Sequence, residues 1–171
     1  MPQQWSAAAG VPASQADAAF YQGRIARESD DLEAAAVSLA EAQAAYEAVG
    51  DSYQAGVAAS YRGQLVADAG RLGRALTHHH AAFQHFLAAA DLMGIGNELA
   101  RMGLVLRQLH HHQEALDCFR QALEAHQAAG HWPSALVDQF NLASTALDLG
   151  QRPLAEEHAE AAQKLARQLN D

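Results

Sequence analysis

Glycine recurs in this chain at a fixed phase. Gly23, Gly63 and Gly103 stand forty residues apart, and Ala143 takes the fourth place. Two alanine columns keep step with them, Ala35, Ala75, Ala115 and Ala155, then Ala42, Ala82, Ala122 and Ala162. Small-residue columns held in phase over four copies constrain the chain to a stacked repeat array, in which each copy buries its apolar face against its neighbour. The copy is clearest from Leu99 to Gly130, where apolar residues recur at helical spacing over two segments placed back to back.

The composition suits that reading. Of the 171 residues half are hydrophobic, enough for a continuous core, and only 6% are aromatic. Much of the apolar content is alanine, a strong helix former whose small size lets helices approach closely. The expected fold is all-α, a right-handed helical-hairpin solenoid of four repeats with eight helices joined by short connections. Residues 1–13, with Trp5 among them, read as a flexible leader, and 14–171 as one array with repeats at about 14–50, 51–93, 94–130 and 131–169. Ser14 with Asp17, and Asp30 with Glu33, are spaced as capping pairs at helix starts, and Pro133 suits a first turn. Gly94 and Gly96 read as the turn that opens the third repeat. In the last helix Glu156 stands where earlier copies have Leu76 and Leu116, and Ala159 where the third has Phe119. That polarity is expected of a terminal cap.

The third copy carries Leu99, Met102, Gly103 and Leu106, then Ala115 and Phe119. The second carries Ala59, Gly63 and Val66, then Ala75, with His79 in the aromatic column; the first carries Ala19, Gly23 and Ala26, then Ala35 and Leu39. The fourth has Gln139, Leu142, Ala143 and Ala146, then Ala155. This pattern, over about residues 14–169, resembles the tetratricopeptide repeat. The period departs from that family's usual length by six residues, about 9 Å of helix shared between two helices, which is similar to the long-helix variant of bacterial regulators. The resemblance implies a non-catalytic scaffold that binds a protein or peptide in a concave groove lined by the first helix of each hairpin. The carboxylate-clamp subgroup is matched only at Arg101 and Asn141, since Gln64 and Leu104 stand where that subgroup has asparagine.

Counting from the crossing glycine at helical spacing selects the inward line. It holds Tyr21, Arg24 and Glu28 in the first repeat, Tyr61, Gln64 and Asp68 in the second, Asn97, Arg101, Leu104 and Gln108 in the third, and Asn141, Ser144 and Asp148 in the fourth. Phe20, Arg27, Arg107 and Phe140 lie on the flanking line. Tyr21 and Tyr61 offer aromatic surface with polar tips. Glu28, Asp68 and Asp148 form an acidic rail suited to a basic side chain of a peptide, unless neighbouring side chains pair with one another instead. Two other readings stay open: a regulatory sensor that binds a signalling peptide or small ligand, and a structural protein that self-associates as a homodimer.

Other chemistry finds little support. A formal charge of −9 argues against nucleic acid, which needs clustered cations. No segment has the length of a membrane span or the pattern of a signal peptide, so the expectation is a cytoplasmic protein with no membrane partner. His78, His79 and His80 are consecutive and splay around a helix, so they do not converge on one ion, and no metal or other cofactor is expected. Cys118 precedes Phe119 on a packing helix and reads as a core or boundary thiol. No phosphate loop, dinucleotide fingerprint or nucleophile elbow is present, and the chain is not expected to be an enzyme.

Overall fold

A computed structural model describes residues 10–170, with side chains over 14–169. Among these residues there are eight α-helices and no strand: α1 (Gly10–Glu28), α2 (Leu32–Ala48), α3 (Ser52–Asp68), α4 (Leu72–Ala88), α5 (Leu92–Gln108), α6 (His112–Ala128), α7 (Trp132–Asp148) and α8 (Arg152–Asn170). The fold is thus a run of four helical hairpins, as the forty-residue phase requires. Two compact units divide the chain, one ending at Ala89 with α1–α4 and one beginning at Ala90 with α5–α8.

The punctuation repeats at half the expected period. Helices α2 to α7 each have 17 residues. A residue with positive φ follows every twenty positions, at Asp30, Gly50, Gly70, Ala90, His110, Gly130 and Gly150. At Gly50 the amide donates to Glu47 O and the next amide, of Asp51, donates to Tyr46 O. That pair of bonds is the Schellman closure, which satisfies carbonyls left open at a helix end. The residue after the left-handed one then caps the following helix: Asp31 accepts from Ala34 N, Asp51 from Gln54 N and Asp91 from Gly94 N. Three residues therefore end one helix and begin the next.

Three local expectations are corrected. Helix α1 begins at Gly10, ahead of Ser14, because Pro12 falls in its first turn, where a missing N–H costs nothing. The cap of α2 is Asp31, since Asp30 takes the left-handed position. Gly94 and Gly96 are buried inside α5 and form no turn, because Ala90 makes the left-handed turn that the sequence pattern assigned to glycine. Trp5 and the rest of the expected leader before Gly10 lie outside the described residues.

Two contact columns zip each hairpin. At the first, a Cβ on Gly23 would stand 2.8 Å from Leu39 Cγ, one on Gly63 2.6 Å from His79 Cε1, and one on Gly103 2.8 Å from Phe119 Cε1. Glycine is required there because the facing side chain sits on the backbone itself. At the second, nearer the open end, a Cβ on Gly56 would stand 3.2 Å from Phe86 Cδ1 and one on Gly96 2.6 Å from His126 Cδ2. Ala35, Ala75, Ala115 and Ala155 are buried, as are Ala42, Ala82, Ala122 and Ala162. In the first unit Phe20, Leu39, Tyr46, Ala55 and Ala58 form one core cluster with Ala16 and Ala42. In the second, Leu99, Leu106, Leu116, Phe119 and Leu142 are buried.

Candidate binding face

In the first unit the face is carried by α1 and α3, whose apolar sides are committed to the core and whose other sides carry the expected residues. Phe20, expected on the flanking line, is only 8% exposed and belongs to the core. Its ring stands edge-on to Tyr61 at 5.3 Å and to Tyr21 at 5.9 Å, so it props both tyrosines from behind. Tyr21 is 58% exposed and Tyr61 half-buried. Arg24 lies against both rings, its guanidinium carbon 5.9 Å from the Tyr21 centroid and 5.8 Å from that of Tyr61. Both distances fall within cation–π range. One turn further, Arg27 donates to Asp68 Oδ2 at 2.9 Å and to Gln64 Oε1 at 3.4 Å, tying α1 to α3. Arg24, Arg27, Glu28 and Tyr61 line an open pocket of about 270 Å³. Six expected residues, Tyr21, Arg24, Glu28, Tyr61, Gln64 and Asp68, are thus brought onto one wall. Arg27 completes the wall, although it was placed on the flanking line.

Behind this wall the Tyr46 hydroxyl donates to Asp17 Oδ1 at 2.6 Å, linking α2 to α1. Burial, then the Asp17 carboxylate, push the Tyr46 phenol well above its usual range.

In the second unit the first helices are α5 and α7. Asn97, Leu104, Gln108, Phe140, Ser144 and Asp148 are exposed, Phe140 by 55%, while Arg101 and Asn141 are half-buried. Arg101 Nε lies 3.4 Å from the buried carboxylate of Glu98. Asp148 is held by Arg107 Nε at 3.9 Å and His112 Nδ1 at 3.7 Å. Of the expected rail, Asp68 and Asp148 are therefore paired to cations of their own unit, the alternative arrangement the sequence left open. Among the described residues Glu28 has no such partner.

The unit's buried polar group was not among the expected residues. His126 Nδ1 lies 2.6 Å from Asp138 Oδ2 and its Nε2 3.3 Å from Asn97 Oδ1, with His126 and Asp138 each 1% exposed. Three helices, α5, α6 and α7, meet at this ring. A signal existed: Glu98 and Asp138 stand forty apart at apolar positions, and carboxylates there need partners.

Remaining chemistry is sparse. Cys118 is half-buried, and burial, then Asp117 and Glu114, push its thiol up, away from the reactive thiolate. No group of three His, Cys, Asp or Glu gathers as a metal site would require among the described residues. Nor is any described helix long and apolar enough to cross a membrane.

Comparison with known proteins agrees with this geometry. Residues 97–168 match the family model of the tetratricopeptide repeat. No curated protein matches the sequence. Among solved structures the chain is similar to BtubC from P. vanneervenii, with a TM-score of 0.82 at 13% identity, covering 93% of this chain and 66% of that one. It is similar to aspartyl phosphate phosphatase F from Bacillus subtilis, with a TM-score of 0.84 at 16% identity, covering 94% of this chain and 42% of that one. A third is the Rap conjugation gene regulator of the plasmid pLS20 in complex with the Phr* peptide, at 0.69 and 21%, covering 93% of this chain and 44% of that one. The chain thus spans less than two thirds of each of these proteins. At such identities the likeness shows the fold, which is that of helical-repeat proteins of tetratricopeptide type.

Proposed function

We propose that the chain is a non-catalytic module that binds a peptide, or an extended segment of a partner protein, on the first helices of its hairpins. The observation that carries this reading is the α1–α3 wall, where a propped pair of tyrosines stands at an open pocket lined by Tyr61, Arg24, Arg27 and Glu28. An exposed aromatic beside an unshielded cation is poor surface for a chain with no ligand, and good surface for one that must grip a flexible segment. The similarity to a regulator in complex with a peptide supports a peptide as ligand. In the second unit Asn97, Arg101, Leu104, Gln108, Phe140, Asn141, Ser144 and Asp148 would serve as its more apolar counterpart. Phe20 contributes from beneath by holding Tyr21 and Tyr61 in place.

Photo-crosslinking tests the reading. A benzoylphenylalanine replaces Tyr21 or Phe140 on the first helices, or Val37 or Leu87, both exposed on second helices, and each variant is irradiated with a pool of random peptides. Covalent capture at Tyr21 and Phe140 well above that at Val37 and Leu87 is expected. Equal capture at all four, or preference for the second helices, would overturn it.

A further inference from the structure

We propose that Arg24 is the specificity-determining residue of the α1–α3 wall and that it selects a peptide carrying a carboxylate. This rests on the peptide-binding reading and gives it a ligand chemistry, opposite in charge to the basic side chain that an acidic rail would take.

The argument begins with how the two arginines of the pocket use their guanidinium groups. Arg27 spends its planar donor fork on Asp68 and Gln64. Arg24 instead holds its guanidinium carbon over both rings, 5.9 Å from the Tyr21 centroid and 5.8 Å from that of Tyr61. Attraction to a ring consumes no oxygen acceptor, so the N–H fork that matches a carboxylate in two bonds stays available. No described residue accepts a hydrogen bond from Arg24 or pairs with it as an ion.

The carboxylates that would compete are accounted for. Asp68 is held by Arg27 at 2.9 Å. Glu28 lines the same pocket one turn along α1, yet forms no ion pair with Arg24. One free cation beside one free anion suits a singly charged group followed by a hydrogen-bond donor, as in an Asp or Glu side chain with a neighbouring peptide N–H. A doubly charged phosphate would gain one counter-charge and face Glu28 with the other. The chain's net charge of −9 adds that long-range attraction will not gather anions. Selection by Arg24 is therefore a contact effect.

Two display libraries of short random peptides, one with a blocked and one with a free carboxyl terminus, are selected on the full chain and on Arg24→Gln, with Arg74→Gln, an exposed arginine of α4, as a charge-matched control. The best peptide is then resynthesised with its acid replaced by the amide. Enrichment of Asp or Glu at one position is expected on the full chain and on Arg74→Gln, and not on Arg24→Gln. Affinity should fall about tenfold or more when either the peptide acid or Arg24 is neutralised, and little further when both are, because each loss removes the same charged hydrogen bonds. Enrichment confined to the free-terminus library supports the proposal and names the terminal carboxylate as the source. Bound peptides without an acid preference, or with one that Arg24→Gln leaves intact, overturn the proposal while peptide binding stands. Retention of no peptide in either library overturns both.

Discussion

At one register of the repeat the first unit places Asp17, Tyr46 and Ala58, and the second, eighty residues on, places Asn97, His126 and Asp138. In both, a ring from a second helix reaches back to a polar side chain on the first, Tyr46 to Asp17 at 2.6 Å and His126 to Asn97 at 3.3 Å. The third position is where they part. Ala58 is fully buried and apolar, whereas Asp138 is fully buried and polar. A phenol carries its polar atom at one tip, so one acceptor satisfies it and the rest of its surroundings can be apolar. An imidazole carries polar atoms on two sides, so burying it requires a second partner. Asp138 is the second partner. The first unit keeps its carboxylates for the outer wall, and the second buries two, Glu98 and Asp138.

The strongest way to break this comparison is to remove one member of the buried pair. His126→Phe should destabilise the chain by about 3–5 kcal/mol, because it leaves Asp138 buried without a partner. Adding Asp138→Ala, the residue found at Ala58, should recover most of that loss, since replacing both partners of a buried polar pair by apolar groups is often nearly neutral. Urea denaturation of the two single variants and the double variant measures the cycle. Additive losses would mean that the two residues do not depend on each other.

Next in size are the crossings. Gly63→Ala would place a methyl 2.6 Å from the His79 ring, and Gly103→Ala 2.8 Å from Phe119. His79 and Phe119 are both buried, with no space to retreat into. Each substitution should cost about 1–3 kcal/mol by overpacking. The tighter contact in the first unit sets the order, Gly63→Ala losing at least as much as Gly103→Ala. If melting temperatures are unchanged, the hairpins separate freely and the columns do not set their spacing.

Smaller again is Tyr46→Phe, the counterpart of the His126 variant. It removes one hydrogen bond at about 1 kcal/mol, and Asp17, exposed to water, loses no essential partner. The effect has a pH signature. Folding raises the Tyr46 pKa through burial and Asp17, so its contribution is complete below the unfolded value of about 10. Above that pH the unfolded chain loses the proton first, and stability falls as pH rises. Tyr46→Phe should flatten that alkaline decline in denaturation midpoints measured between neutral pH and the alkaline limit. A decline equally steep in the variant would assign it to other groups.

These outcomes bear on how much was legible beforehand. The hairpins could be read because Gly23, Gly63 and Gly103 and the alanine columns record contact at fixed positions, and such contact tolerates few residue types. The tyrosines and arginines of the α1–α3 wall could be placed because helical spacing fixes which side chains share a face. What those side chains do with one another was less accessible. Arg27 and Arg24 differ by three positions on one helix, yet one is consumed by Asp68 and the other rests on rings, a choice made by rotamers and by the neighbouring helix. Phe20 was misplaced for a related reason, since one position around the helix separates wall from core. Gly96 misled because a buried glycine that admits the His126 ring has the same identity as a glycine that makes a turn.

The turn that glycine did not make supplies the smallest test. At Gly50, Gly70, Gly130 and Gly150 the left-handed position is filled by the residue that adopts it without strain, whereas Ala90 adopts it with φ 53. An L-residue with a Cβ loses about 1 kcal/mol in that conformation. Glycine avoids the clash but gains freedom in the unfolded chain, which opposes part of the benefit. The net expectation for Ala90→Gly is a gain of roughly 0.5 kcal/mol, and Gly130→Ala should show the reverse sign by a similar amount. Thermal melts of both variants against the parent measure the pair. If both units unfold together in the parent, a single transition should move up as one in Ala90→Gly. A transition that stays in place or moves down would show that the left-handed conformation at Ala90 carries no strain that glycine relieves.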